Sequence, residues 1–442
     1  GTGTTGTGTT GAGRRLDRRT FRLLFVLLVL AGGMLRIGYV VIAKTDDPLV
    51  GDQIYYSAQA VSFANGSGFE HPYRAGEYAA DHVPLTALAM VPVSWSDTNH
   101  IVPQRLAMAI YGTAVVAGLG VLARLLLGRR PALLAAGIAA VYANLWMNDG
   151  LVMAETLAAG TVVAALIATY RYRLAPTPVL AGLAGGAVGF AGLARAELLL
   201  LGPLVVAPMV LLVGRHRDRS AIGTVRHLVI AGAAAVLVIS PWVVRNQVRF
   251  EESTWMSTQD GLTLLGANCP EAYAGDGLGF WILQCADRVD VPAGADQSEV
   301  SATYRRAAID FIGDNLERLP VVTAARLGRG LSLWRVDGMV ELNTGEGREP
   351  WASRIGLVQY WMLAPLAVAG FARWPSTRPR WPLLVTAGLS VALIAVAYGI
   401  PRFRIAAEVV IVIGAAAAID SLLFRLRATT GTGPPVPPTI AT

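Results

Sequence analysis

The residues best suited to chemistry in this sequence are charged side chains at the ends of long apolar segments. Asp52 follows the first apolar segment, and Arg402 and Arg404 precede the last one. Two arginines so close together offer charge-assisted, bidentate hydrogen bonds to a phosphate group. A carboxylate held nearby is suited to take the proton of a hydroxyl group as a general base. These three residues are therefore candidates for substrate binding (Arg402 and Arg404) and for catalysis (Asp52).

Each of the three also has a plainer interpretation. Asp52 precedes a predicted helix, and aspartate favours the N-cap position, where its side chain binds backbone N–H groups. Arg402 and Arg404 are long enough to reach lipid headgroups from a helix end. The sequence alone leaves both interpretations open.

Further polar side chains occur in other segments predicted to lie on the same side of the membrane. His82 is a candidate substrate-binding residue, or a satisfied residue at the membrane interface. Arg195 and Glu197 are candidates for substrate binding, or an ion pair across a short turn. Tyr55 follows Asp52 by three residues and is a candidate sugar contact, or an interfacial anchor like many membrane tyrosines.

Two more carboxylates, Asp149 and Glu155, flank another short turn on that side. Together with Asp52 they are candidate ligands of a divalent cation, the one cofactor that the sequence suggests, or they could orient the acceptor of a transferred group. Alternatively, Asp149 lies in a solvated turn and Glu155 pairs with Arg195.

The composition identifies the solvent of most of this chain as lipid. The sequence has 442 residues, of which 54% are hydrophobic and 15% are charged, and its mean hydropathy is +0.49. Soluble domains carry about 25% charged residues. The formal net charge of +7 arises from arginines between apolar segments, so we expect membrane lipid and no nucleic acid as a partner.

The apolar segments predict an all-α polytopic membrane protein, because a helix needs about 20 mainly apolar residues to cross a bilayer. We predict about ten spans with short connections and two long loops. The spans are 20–43, 103–127, 131–147, 150–170, 179–193, 197–213, 228–244, 355–371, 382–398 and 405–423.

The arginines predict the orientation, because short cytoplasmic loops retain basic residues. With both termini cytoplasmic, every inner segment is basic, and the two long loops, 44–102 and 249–354, are extracytoplasmic. We therefore divide the chain into cytoplasmic tails (1–19 and 428–442), a transmembrane catalytic module (20–248), the second loop (249–354) and C-terminal helices (355–427). The Ala-, Gly- and Arg-rich composition suggests a bacterial plasma membrane protein.

Each long loop is predicted to contain an amphipathic helix, either on the membrane surface or packed on the bundle. The first is 52–64, with Ile54, Ala58 and Val61 on one face. The second begins after Asp296, which can form a capping box with Glu299. Its apolar stripe is Val300, Tyr304, Ala307 and Phe311.

The two cysteines of the chain, Cys269 and Cys285, both lie in the second loop. In an oxidising compartment, two cysteines in one loop predict a disulfide.

Six short motifs together resemble the GT-C superfamily of polyprenyl-phosphate-sugar glycosyltransferases, in its protein O-mannosyltransferase and aminoarabinose-transferase-like branch. The resemblance covers the chain from Gly51 to about Ala418. Each motif is weak by itself, but the motifs occur in the same order as in the family and lie on the same side of the membrane, which makes the combination more specific. One departure is Gln53, where many relatives have a second carboxylate after the first, which weakens the expectation of a metal site. The motifs are Gly51–Tyr56, His82–Leu85, Arg195–Glu197, Pro241–Asn246, Asn268–Pro270 with Trp281 and Cys285, and Tyr398–Arg404.

The resemblance implies an inverting glycosyltransferase, of actinobacterial origin, that moves a sugar from a polyprenyl-phosphate donor to a cell-envelope glycan, lipoglycan or protein. Asp52 would be the general base, and Arg402 and Arg404 would hold the phosphate. The alternatives are a transporter or a lipid-linked-precursor flippase, a non-catalytic partner that holds the precursor, and a ligase for whole glycans. Transporters usually contain internal repeats and mid-membrane charges, and neither is evident here.

Overall fold

The computed structural model describes residues 17–95, 100–217 and 220–430, with the side chains of 75 and 424–430 excepted. Most of the two predicted tails, 1–19 and 428–442, therefore lies outside the described residues, because residues 1–16 and 431–442 are not described. The first helix begins at Arg18, inside the predicted tail 1–19, because Asp17 caps it by accepting hydrogen bonds from the backbone N–H groups of Arg19 and Thr20.

The bundle consists of ten helices, counted over the described residues, that correspond to the ten predicted spans or to parts of them. Most of these helices form from long apolar segments that have no proline in the helix interior. They are α1 (Arg18–Tyr39), α4 (Ile101–Leu127), α5 (Arg129–Val141), α7 (Glu155–Leu174), α8 (Pro178–Ala194), α9 (Ala207–His216), α10 (Ala221–Arg249), α16 (Pro350–Ala372), α17 (Trp381–Val396) and α18 (Ile405–Thr430).

The prediction of ten membrane spans is not confirmed. Among the described residues, six helical segments are long and apolar enough to cross a membrane, or seven if α5 and the segment after it form one bent span. The bend is 58°, at Tyr142, where the backbone is extended. α8 and α17 are apolar but shorter. The fold is nonetheless that of an all-α, multi-pass membrane protein.

Small residues hold the bundle together. The core between the helices is rich in alanine, and the backbones of α8 and α10 approach closely at Gly185, where a Cβ atom would lie 1.8 Å from the carbonyl oxygen of Ala231. Such contacts are typical of membrane helices, whose association depends on close packing.

Both long loops leave the bundle at the end where α1 terminates and α4 begins, which we call the loop face. Counted over the described residues and leaving short 3₁₀ turns aside, the first loop forms one hairpin and two α-helices, and the second forms five α-helices. They are α2 (Asp52–Ala64), β1 (Glu70–His71), antiparallel β2 (Arg74–Tyr78), α3 (Leu85–Met90), α11 (Asp260–Ala267), α12 (Pro270–Tyr273), α13 (Gln297–Asp314), α14 (Leu319–Gly330) and α15 (Val336–Gly345), with α6 (Ala143–Trp146) at the bend after α5.

Helix α2 is present over the predicted range, 52–64. The predicted apolar residues Ile54, Ala58 and Val61 are half-buried, whereas the fully buried side is partly polar and includes Gln53 and Gln59.

Helix α13 begins with the predicted capping box. The Asp296 carboxylate accepts from the Glu299 backbone N–H at 3.0 Å, and Glu299 accepts from the Asp296 N–H at 2.9 Å. Its apolar residues Tyr304 and Phe311 pack inside the second loop, with the Phe311 ring 5.0 Å from that of Tyr273. The helix therefore belongs to the core of the loop.

The predicted Cys269–Cys285 disulfide is present, 16 residues apart in sequence. Replacing both cysteines with serine is expected to destabilise the second loop by about 3 kcal/mol, since the bond restricts the unfolded loop. The check is thermal unfolding in detergent with and without reductant. Reductant should lower the melting temperature of the wild type to that of the double variant and leave the variant unchanged. Equal melting temperatures for the oxidised wild type and the variant would contradict this expectation.

Candidate active site

Asp52 lies at the start of α2 and faces Arg402. The turn before it depends on Gly51, whose φ of 55° is favourable for glycine. Gly51 occupies the N-cap position of α2, and no side chain caps this helix. The Asp52 carboxylate instead accepts a hydrogen bond from Arg402 Nη1 at 2.9 Å. The N-cap interpretation of Asp52 is therefore wrong, and its carboxylate is directed at the site.

Arg402 lies in a short 3₁₀ turn, Pro401–Arg404, that leads into α18. The same Nη1 that contacts Asp52 also donates to Glu346 Oε1 at 2.9 Å, and the Nε lies 3.9 Å from Glu155 Oε1. This side chain is 15% exposed and its Nε has no hydrogen-bond partner. Arg402 therefore faces three carboxylates instead of lipid.

Arg404 lies apart from Arg402 although only one residue separates them. Its guanidinium pairs with Glu408 at 3.0 Å and donates to the Gly330 carbonyl at 2.9 Å and the Ser332 hydroxyl at 2.7 Å. It also stacks on the Tyr360 ring. All of these groups are in the protein interior, so Arg404 ties α18 to α14 and α16, and the structure does not bring it to the site.

His82 and Tyr55 support Asp52 from the first loop. His82 Nε2 lies 3.5 Å from Asp52 Oδ1, and its ring stacks on Tyr56 with centroids 4.8 Å apart. The Tyr55 hydroxyl donates to the carboxylate of Asp81, next to His82. Tyr55 is therefore a positioning residue that joins α2 to the segment carrying His82.

Glu155, the first residue of α7, is the centre of an arginine cluster. Its Oε1 lies 3.6 Å from Arg195, 3.8 Å from Arg348 and 3.9 Å from Arg402, and its Oε2 has no partner. Arg195 also donates to Glu197 at 2.7 Å. The predicted Arg195–Glu197 pair and Arg195–Glu155 contact are both present, and they converge on the same site.

Asp149 is elsewhere in the bundle. It is buried against Arg36 of α1 at 2.6 Å and accepts from the Thr156 hydroxyl at 2.6 Å. The structure therefore does not place Asp149 beside Glu155, and the solvated-turn interpretation of Asp149 is wrong as well.

Two residues of the site, Glu346 and Arg348, were missed by the sequence analysis. Arg348 is 2% exposed, pairs with Glu346 and donates to Asn148 Oδ1 at 2.9 Å. Gln53 donates to the Glu346 carbonyl at 3.0 Å, which joins α2 to this segment. The available signal was two opposite charges two residues apart immediately before the apolar α16.

Asp52, His82, Glu155, Arg195, Glu197 and Arg402 line one cavity of about 320 Å³ at the loop face. One side is apolar and includes Leu393 and Val396 from the end of α17. The second loop closes another side with Asp260 and Thr263 of α11. The charged and aromatic lining residues are Asp52, Tyr56, Asp81, His82, Glu155, Arg195, Glu197, Asp260, Tyr398, Arg402 and Phe403. Tyr55, Asp149 and Arg404 are not among them, and Glu346 and Arg348 contact the lining residues from behind.

The charge of Asp52 is strongly stabilised. Burial alone would raise the pKa of its carboxyl group, but Arg402 and then His82 outweigh burial and hold the pKa well below the ordinary value of 3.8. Asp52 is therefore ionised at neutral pH.

This pKa shift predicts how the stabilisation by Asp52 depends on pH. Because the folded pKa is depressed, the contribution of the ionised carboxylate is fully present above 3.8 and is lost only as pH falls through the lower folded value. We expect the melting-temperature difference between the wild type and Asp52→Asn to be constant from about pH 8 to about pH 5. A difference that already shrinks near pH 6 would contradict this.

Comparison with solved structures identifies the architecture. Two structures of the oligosaccharyltransferase from Archaeoglobus fulgidus align over nearly all of this chain. AglB with an inhibitory peptide and a dolichol-phosphate gives a TM-score of 0.53 at 13% identity, over 96% of this chain and 53% of that one. The enzyme tethered to an acceptor peptide gives 0.54 at 16%, over 95% and 51%. The chain has the GT-C fold.

The GT-C similarity concerns the fold, since the chain spans about half the length of the archaeal enzyme. ArnT from Cupriavidus metallidurans bound to undecaprenyl phosphate gives a lower TM-score of 0.42, at 15% identity over 91% of this chain and 78% of that one. No protein-family model and no curated protein matches the sequence. The predicted branch within the GT-C superfamily and the actinobacterial origin stay predictions.

No three potential metal ligands among the described residues of the cavity lie within 4.8 Å of one another. Within the described residues, the one group of three potential metal ligands is Cys269, Glu271 and Cys285, and its two cysteines form the disulfide. Asp52 and Glu155 each face arginine side chains, which compete with a cation for the carboxylates. The geometry therefore gives no support to the predicted cation at Asp149 and Glu155.

Proposed function

We propose that this chain transfers a sugar from a polyprenyl-phosphate donor to an acceptor on the extracytoplasmic side of a bacterial plasma membrane. One observation carries the proposal: in a chain with the GT-C fold, an ionised carboxylate and two arginines, Asp52, Arg195 and Arg402, line one cavity at the loop face. The arginine-rich opposite face would be cytoplasmic, with both termini on that side.

The arginines stabilise the leaving phosphate. The donor phosphate binds Arg402, whose Nε is unpartnered, and the neighbouring Arg195 adds a second positive charge. As the bond between the anomeric carbon and the phosphate oxygen breaks, negative charge develops on the phosphate. Charge-assisted hydrogen bonds from arginine stabilise that charge.

Asp52 activates the acceptor. Phosphate binding at Arg402 separates Arg402 from Asp52, and the carboxylate then accepts the proton of the acceptor hydroxyl. The acceptor oxygen forms a bond to the anomeric carbon on the face opposite the departing phosphate. This single displacement inverts the anomeric centre. His82 and Tyr55 hold Asp52 in place for this step.

The apolar side of the cavity accommodates the lipid carrier. Leu393 and Val396 line it, and Val396 is 70% exposed on the outer surface of α17. A polyprenyl chain can therefore run from the cavity into lipid without burying polar groups. The acceptor, a cell-envelope glycan, a lipoglycan or a protein, would approach past the second loop.

The test is donor consumption by purified protein in nanodiscs, with a panel of radiolabelled polyprenyl-phosphate sugars and a membrane extract as acceptor. We expect one donor to lose its label to product and to release polyprenyl phosphate. A flippase would move donor between leaflets of proteoliposomes without cleaving it. Intact donor together with lipid translocation would therefore reject the transferase and favour that alternative.

A further inference from the structure

The second half of the second loop buries two arginines and exposes apolar side chains in its first helix and its turn. We call residues 319–345, which form α14, a tight turn and α15, the α14–α15 hairpin. Its arginines Arg326 and Arg329 are 3% and 4% exposed, whereas Val321 and Leu333 are 48% and 71% exposed. A helix in water turns its apolar side inward. Apolar side chains outside and charged side chains inside are the pattern of a surface that faces lipid.

The hairpin covers the end of a helix that is too short for the membrane. α17 has 16 residues, which at about 1.5 Å per residue extend roughly 24 Å, less than the roughly 30 Å of the hydrocarbon layer. Arg326 of α14 donates to the last carbonyls of α17, Ala395 at 3.3 Å and Val396 at 2.9 Å. Helix-terminal carbonyls within a membrane have no water to bind, so they need donors from the protein. Arg326 of α14 supplies these donors to the end of α17.

The turn of the hairpin packs against a helix that is long and apolar enough to cross the membrane. The indole of Trp361 donates to the Ser332 carbonyl at 3.0 Å, and Trp361 lies within the candidate span Pro350–Ala372. The turn has left-handed backbone at Ser332 and Arg335, with φ of 55° and 48°. Arg404 secures it by donating to the Ser332 hydroxyl at 2.7 Å.

Two charged residues limit how deeply the turn can lie. Arg335 extends back toward the loop, where it pairs with Asp276 at 2.8 Å. Asp337 at the start of α15 is exposed. Trp334, 36% exposed, lies next to Arg335, and tryptophan favours the boundary between headgroups and acyl chains. The turn is therefore at the upper edge of the hydrocarbon layer.

We propose that the α14–α15 hairpin is a membrane-embedded part of the second loop and that Val321, Leu333 and Trp334 bind the acyl chains of bilayer lipids. The hairpin then fixes the depth of the second loop, and with it the α11 side of the cavity, relative to the membrane. On this proposal, part of the predicted extracytoplasmic loop 249–354 enters the membrane, and the proposal does not rest on the proposed function.

The test is the membrane depth of Leu333, measured by a nitroxide on Leu333→Cys in nanodiscs. The only cysteines of the chain form the disulfide, so each new cysteine is a unique labelling site. Collision with oxygen, which concentrates in lipid, is compared with collision with a water-soluble nickel chelate. Val368→Cys, 70% exposed on α16, is the lipid control, and Asp310→Cys, exposed on α13, is the aqueous control.

We expect the ratio of oxygen to nickel accessibility at Leu333 to exceed that at Asp310 several-fold and to approach that at Val368. Val321→Cys should give the same result, which guards against a local effect of the label on the turn. Ratios at Leu333 and Val321 equal to that at Asp310 would overturn the proposal, because the hairpin would then lie in water.

Discussion

Asp52→Asn is expected to lower the rate of sugar transfer by about 10²–10⁴-fold, the usual contribution of a general base. Asparagine can still accept the hydrogen bond from Arg402, so the cavity should keep its shape while it loses the group that takes the acceptor proton. The measurement is the initial rate of product formation with purified variant and wild type, at equal amounts of folded protein.

Glu346→Gln is the matched control for Asp52→Asn. Both carboxylates accept from Arg402 Nη1 at 2.9 Å, so both substitutions remove one negative charge from the same guanidinium. If Asp52 is the base, Glu346→Gln should cost less than about tenfold. Equal losses in the two variants would show that Asp52 acts only by balancing the charge of Arg402.

Arg402→Gln is expected to lower the rate of sugar transfer, whereas Arg404→Gln is expected to lower the stability of the protein. Arg402 contacts Asp52 and Glu346, whose side chains are 29% and 19% exposed, so water can hydrate them when the arginine is lost. Its loss should lower transfer by about 10²–10³-fold, the cost of one preorganised charge-stabilising donor, with little change in melting temperature. Arg404→Gln instead leaves Glu408, 3% exposed, without its cation. Breaking such a buried pair costs about 3–5 kcal/mol of stability.

The measurement is the melting temperature and the transfer rate of both variants in the same detergent. Arg404→Leu with Glu408→Leu is a control, because removing both charges should restore much of the stability that Arg404→Gln loses. A large loss of stability in Arg402→Gln, or a transfer defect in well-folded Arg404→Gln, would contradict the separate roles.

Most residues of the site were predicted from the side of the membrane on which their segments lie. Asp52 and Arg402 are 350 residues apart, yet the alternation of spans predicted both at the same membrane face, and their side chains are in contact. Arg195, Glu197 and Glu155 were found in the same way. A charged residue at the end of a membrane helix indicates a candidate site, because few positions in a lipid environment tolerate a charge.

Sequence reasoning failed where the partner of a charge lies inside the bundle. Asp149 pairs with Arg36, which lies within the first apolar segment and looked like part of a span. Arg404 resembled Arg402 in sequence, but a 3₁₀ turn directs the two side chains to different sides. Spacing along the chain does not reveal these directions.

The second loop was predicted least well. Glu346 and Arg348 join the site through contacts with Gln53 and Asn148, which are 293 and 200 residues away in sequence. The two opposite charges before α16 could have marked Glu346 and Arg348 as candidates, but no local sequence signal indicates which distant residues they contact.

The most direct test of the account is a cryo-EM structure of the wild-type protein in nanodiscs with a non-transferable phosphonate analogue of its polyprenyl-phosphate donor. We predict phosphonate density at about 2.7–2.9 Å from the Arg402 guanidinium, the sugar between it and Asp52, and the lipid chain along Leu393 and Val396. Phosphonate bound outside the cavity, with Arg402 still paired to Asp52, would contradict the proposed transfer site.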